Sequence, residues 1–200
     1  MRVTVFLIII NFVIFILQFI LQGFTNSFAL IPVNALGGSY WQFLTYMFLH
    51  DNPMHIGLNM FVLLIFGISV ERALGMRRYL FLYFVSGIGS AILHILLTGI
   101  SDILLLGASG AVFGVLTAFA FLYPDAKLII IPIPYPISAK YIVLGFVALS
   151  LFLGFTNILG DNIAYFGHLG GIMTGVILMS YWKYVKKQRA EVEDFEFLWE

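Results

Sequence analysis

A chain of 200 residues that is 62% apolar and only 10% charged lacks the polar side chains to cover a soluble surface. A mean hydropathy of +1.03, with 21 Phe and 10 Tyr, excludes extended disorder as well. Zero net charge argues against a nucleic-acid partner, and the absence of Cys removes thiolate metal sites, iron–sulfur clusters and cysteine nucleophiles.

Charged residues divide the chain into uncharged runs of 19 to 23 residues, each close to the length a helix needs to cross a bilayer. The expected fold is an all-α polytopic membrane protein with six spans, a single domain over residues 1–200. Span one covers 3–22; its apolar run is long for a cleavable signal peptide, so it reads as retained. Residues 23–51 follow as the longest connection, with no positive charge, expected in the membrane interface and anchored by Tyr40 and Trp41. Span two covers 52–70 and carries His55 and Asn59 four residues apart, on one helix face. Glu71 and Arg72 anchor its inner end. Span three covers 79–101, with His94 near its outer end, satisfied at the interface. His50 and Asp51 read as membrane-surface residues without the spacing of a zinc site.

Span four covers 103–124 and opens with Gly107-Ala108-Ser109-Gly110. The connection 124–138 holds Pro124, Pro132, Pro134 and Pro136 and is stiff. Span five covers 141–160. Span six covers 162–182 and contains His168 in a glycine series, Gly167, Gly171 and Gly175. Residues 183–200 read as a short solvated tail. All ten Lys and Arg fall at Arg2, at Arg72, Arg77 and Arg78, at Lys127 and Lys140, and at Lys183, Lys186, Lys187 and Arg189. The opposite connections carry only Asp51, Asp102 and Asp161. The excess of positive charge on cytoplasmic loops therefore places both termini in the cytoplasm.

Polar residues inside spans are costly and are functional candidates for that reason. No carboxylate lies well within a span, so an aspartyl mechanism and a proton relay lack their groups. No His-Glu-x-x-His string supports a zinc protease, and no metal or other cofactor is expected. Ser and His remain. Ser109 lies fifteen residues before Pro124 and His168 fifteen before Lys183, so each sits roughly 22 Å above the inner edge. Asn59 and His55, counted back from Arg72, bracket that level at roughly 20 and 26 Å. The stripes Gly110/Gly114 and Gly167/Gly171/Gly175 let two helices approach closely, which would bring a nucleophile to a base. Each feature alone has a blander reading: Ser109 as interhelical glue, His55 and Asn59 as a hydrogen-bonding pair, the glycines as packing. Coincident depth across three spans favours catalysis.

At these motifs the chain resembles the rhomboid intramembrane serine proteases over nearly its whole length. The family's Gly-x-Ser-Gly motif matches Gly107-Ala108-Ser109-Gly110, its base motif matches His168 with Gly171, and its His-x-x-x-Asn motif matches His55 and Asn59. The Glu-rich turn after the second helix is similar to Val70-Glu71-Arg72-Ala73-Leu74-Gly75. The resemblance implies Ser109 as nucleophile, His168 as general base, and His55 and Asn59 as oxyanion-binding residues. It implies a serine endopeptidase in the cytoplasmic membrane of a prokaryotic cell, cutting transmembrane substrates near their outer end within the lipid bilayer, with span five or its neighbouring loop as the gate. Two positions depart from the family pattern: Trp-Arg of the first external loop reads Trp41-Gln42, and the aromatic that stacks on the base, often Tyr, is Phe113. A non-enzymatic membrane-protein binder and a small channel are the rival readings, the channel disfavoured because no ring of charge lines a span.

Overall fold

Glycines at positive φ, at Gly23, Gly75, Gly99 and Gly107, and one side-chain cap at Asn52 mark several of the helix boundaries. The computed structural model describes residues 2–129, 134–156 and 164–197, from 187 onward as helix backbone. Pro132, Asp161, the end of the expected fifth span and the start of the sixth lie outside the described residues. Helix α1 spans Val3–Ile20. The connection after it contains three short helices, α2 (Phe24–Phe28), α3 (Pro32–Leu36) and α4 (Gln42–Thr45), closed by a 3-10 turn at Tyr46–Phe48. Tyr40 and Trp41 are exposed there, and Trp41 Nε1 donates to the Ser27 carbonyl at 3.1 Å.

Helix α5, Pro53–Leu74, starts where the Asn52 side chain accepts from the His55 amide and where proline occupies the first turn. It ends at Gly75, whose φ of +76° suits glycine, and α6, Met76–Thr98, follows at once. Helix α7 is Ser109–Leu122, only 14 residues and about 21 Å long. The run before it is extended, and Leu105 forms an isolated antiparallel bridge with Leu30. The expected span at 103–124 is therefore helical only from Ser109. The physical reason is Gly107, at φ +126°, a backbone conformation that no helix contains.

Strands β1 (Lys127–Leu128) and β2 (Ile137–Ser138) form a small antiparallel ladder, flanked by an exposed ion pair between Lys140 and Asp125 at 2.6 Å. Helix α8 is Ala139–Thr156. Helix α9 runs Tyr165–Phe197, 33 residues, so the expected solvated tail continues as helix. Its Lys, Gln, Arg, Ala and Glu residues are good helix formers.

Among the described residues, four helices, α1, α5, α6 and α8, are long and apolar enough to cross a membrane. Their outward faces carry large exposed apolar side chains, including Phe12, Ile16, Phe61, Leu144 and Phe152, a surface suited to lipid. Helices α6, α7 and α9 pack against one another, α5 packs on α7 and α1, and α8 rests on α9 and more thinly on α7. The core is built on Tyr46, Met47, Leu63, Tyr79, Leu82 and Tyr83.

Glu71 does more than anchor its own helix. Its carboxylate accepts from the Val3 amide, the Thr4 amide and the Thr4 hydroxyl, at 2.9, 2.9 and 2.6 Å. Two otherwise unpaired N–H groups at the start of α1 are thus tied to the end of α5. Glu71→Ala is expected to cost about 3 kcal/mol, since hydrogen bonds to a charged group contribute about 1.5–3 each but share one ordering cost. Unfolding in mixed micelles measures it, and a loss below about 1 kcal/mol would remove this account of how α1 is held.

Candidate active site

The nucleophile candidate sits at the point where α7 begins. Ser109 is the first residue of that helix, so the amides of its first turn have no carbonyl beneath them within the helix. On the neighbouring helix, His168 lies in the first turn of α9. The separation between His168 Nε2 and Ser109 Oγ is 3.0 Å, within hydrogen-bonding reach for proton transfer. Both side chains are half-buried. Phe113, one turn beyond Ser109, lies against the imidazole with ring centroids 4.6 Å apart. Its other side meets Phe146 of α8 edge-on at 5.0 Å. Tyr165 also stands edge-on to His168, at 6.2 Å.

The glycine stripes explain why two helices can bring these groups so close. A side chain at Gly171 would fall on the Gly110 carbonyl, and one at Gly175 would meet the Gly114 carbonyl at 3.0 Å. The other face of the same stripe receives α6: Gly110 lies against Ser90 and Gly114 against Ser86. Helix α7 is thus held between the α9 backbone on one side and the Ser86 and Ser90 side chains of α6 on the other, at distances that leave no room for a side chain at Gly110 or Gly114.

His55 reaches the same pocket from α5. A methyl group on Gly107 would lie 2.8 Å from His55 Nε2 and 3.9 Å from Ser109 Oγ, so the imidazole and the hydroxyl border one small volume. Asn59 lies one turn further along and is buried. Its Nδ2 donates to the His55 carbonyl at 3.0 Å, which leaves the second N–H of that amide. Ser109, His168 and His55 are therefore brought together, with Asn59 behind His55 and bonded to its own helix. Among the described residues no carboxylate is hydrogen-bonded to His168, and no three of His, Cys, Asp and Glu gather into a metal-binding group.

Two histidines differ from the expectation drawn for them. His50 is not at the surface: it is 1% exposed, and its ring stands edge-on to His55 with centroids 5.1 Å apart. Gln18 clasps its backbone, accepting from the amide at 2.9 Å and donating to the carbonyl at 3.2 Å. Burial, reinforced by nearby His55, lowers its pKa to about 3, so the ring is neutral. The signal for this was Gln18, a polar residue inside an apolar run. His94, expected to be satisfied at the interface, has a buried Nδ1 without a hydrogen-bond partner among the described residues.

Sequence comparison agrees with the architecture. Residues 37–184 match the Rhomboid domain. The chain is 35% identical over 147 residues to Rhomboid protein 1, mitochondrial, of Saccharomyces cerevisiae, covering 71% of this chain and 42% of that protein. It is 28% identical over 202 residues to Rhomboid protease AarA of Providencia stuartii, covering 88% and 70%. Against Rhomboid protease GluP of Bacillus subtilis it is 29% identical over 178 residues, covering 86% of this chain and 33% of that one. The chain thus spans less than half the length of the yeast and Bacillus relatives it matches.

Proposed function

The chain belongs to the rhomboid family, and from that membership and the site geometry we propose that it is an intramembrane serine endopeptidase acting through a Ser109–His168 dyad. The observation that carries the reading is the 3.0 Å separation of His168 Nε2 and Ser109 Oγ across two helices. In this mechanism Ser109 attacks the scissile carbonyl while His168 removes its proton, then returns that proton to the leaving amine. His55, Asn59 and the free amides at the start of α7 stabilise the oxyanion. The imidazole is oriented by the Phe113 ring rather than by a carboxylate.

The proposal extends to topology and substrate. The protein has six spans in a single domain over residues 1–200, with both termini cytoplasmic, in the cytoplasmic membrane of a prokaryotic cell. Its substrates are transmembrane segments cut near their outer end, and segments weakened by Gly or Pro expose their backbone most readily. They are admitted where α8 leans on α7, at the Phe113–Phe146 contact.

A fluorophosphonate probe tests the mechanism directly. An activated serine is labelled, whereas an interhelical one is not. Labelling of the wild type that maps to Ser109 and vanishes in His168→Ala is the expected result. No labelling of a folded, membrane-embedded wild type would favour a binding protein without activity.

Asn59→Ala is expected to reduce cleavage only in part. Removing one oxyanion donor costs roughly 2.7–4 kcal/mol in soluble serine proteases. Here Asn59 already gives one N–H to the His55 carbonyl, and His55 and the α7 amides remain. Turnover of a transmembrane substrate in liposomes, with unfolding followed in parallel, measures it. Complete loss at unchanged stability would show Asn59 to be the dominant donor.

A further inference from the structure

The end of the molecule remote from Ser109 carries a cluster of cations that form no ion pair among the described residues. Arg77 and Arg78 open α6, and Lys183 and Lys186 lie on α9 beside them. All four are exposed and make no ion pair among the described residues. The two helix ends are in contact: the Arg78 guanidinium lies over the Trp182 ring, 5.8 Å from its centroid, and Phe81 meets the same ring at 6.4 Å. Lys186 is one turn beyond Trp182 on the same face of α9. Arg77 and Lys183 are the sequence neighbours of Arg78 and Trp182. The acidic residues of the tail begin only at Glu191, about 7.5 Å of helix further out than Lys186.

Directly beside the cations the surface turns apolar and aromatic. Phe81 is 53% exposed and Tyr181 60%. A ligand that fills this place needs an anionic head for the cations and a hydrocarbon body for Phe81 and Tyr181. A free phosphate supplies only the first. We infer that the ends of α6 and α9 bind an anionic phospholipid, its phosphate held by Arg78 and Lys186 with Arg77 and Lys183 beside them, and its acyl chains lying along Phe81 and Tyr181. Basic clusters at the end of membrane helices attract anionic lipid, and Trp182 holds the Arg78 guanidinium in place by a cation–π contact. The bound lipid bridges the two helices, so it stabilises the α6–α9 packing. None of this depends on the catalytic reading.

The test is native mass spectrometry of the full chain released from micelles containing phosphatidylglycerol and phosphatidylcholine in equal amounts. The wild type is expected to retain phosphatidylglycerol with a preference of at least about tenfold, and to unfold several degrees higher in its presence. The variant Arg77→Gln/Arg78→Gln/Lys183→Gln/Lys186→Gln should lose both the preference and the shift. Equal retention of the two lipids by the wild type, or an undiminished preference in the variant, would overturn the site. Millimolar inorganic phosphate in phosphatidylcholine micelles should not reproduce the thermal shift; if it does, the cluster takes a free anion and the lipid assignment fails. On the unaltered chain, the preference should also fall as salt is raised, and a salt-independent preference counts against it.

Discussion

Ser109→Ala and His168→Ala are each expected to abolish cleavage of a transmembrane substrate while the protein stays folded. Ser109 Oγ and His168 Nε2 are 3.0 Å apart and act as one unit in the proposed mechanism, so the double variant should be no worse than either single one. Removing the hydroxyl opens no large void, because Ser109 sits half-exposed at the start of its helix, and thermal stability should hardly change. Cleavage assayed in detergent and in liposomes, with unfolding alongside, decides it. Full activity in folded Ser109→Ala would end the mechanism outright. An additive double variant would mean that the two residues serve separate steps.

Gly171→Val should be nearly as damaging, by a different route. Its side chain would land on the Gly110 carbonyl, which is backbone and cannot swing aside. Helices α7 and α9 must then separate, and the distance between Ser109 and His168 opens with them. A 1 Å misplacement of reacting groups can cost about a hundredfold, and the lost packing adds a fall in stability of about 1–3 kcal/mol or more. Gly145→Val is the control, since a side chain there meets nothing within 4 Å. Turnover retained in Gly171→Val would mean that the helix pair tolerates the spacing, and the glycine stripe would lose its part in positioning the dyad.

The proximity of Ser109 and His168 was legible in the sequence because membrane depth is a one-dimensional quantity. Counting from Pro124 and Lys183 places Ser109 and His168 on one level, and the glycine spacing supplies the helix pair. What counting does not supply is rotation and burial. Asn59 shares a face with His55, but its amide turns back to its own helix. His50 sits in a short polar stretch, His50-Asp51-Asn52, that reads as surface; its long-range contacts with Gln18 and its packing against His55 accompany its burial. Hydropathy also ran past the true start of α7, because residues 103–108 are as apolar as a helix while Gly107 and the Leu30–Leu105 bridge hold them extended. The proposal of six spans and of their orientation rests on charge distribution; among the described residues, four helices are long and apolar enough to cross a membrane.

In the proposed mechanism, the shortness of α7 has a bearing on where a substrate would be cut. At 14 residues it falls about 9 Å short of a hydrocarbon core of roughly 30 Å, and Ser109 stands at its first residue. In the proposed orientation the helix acts as a ruler: its foot rests at the inner membrane edge, and its top fixes the level at which a peptide bond can be attacked. One added turn would raise that level by about 5.4 Å, to a bond three or four residues away in a helical substrate. One added residue would instead swing Ser109 about 100° around the axis, away from His168. The cleavage level can therefore change only in whole turns, and only if α9 lengthens by the same amount. Under the proposed function, a constraint of that kind makes the distance of the scissile bond from the membrane boundary a property of the protein fold rather than of the substrate sequence.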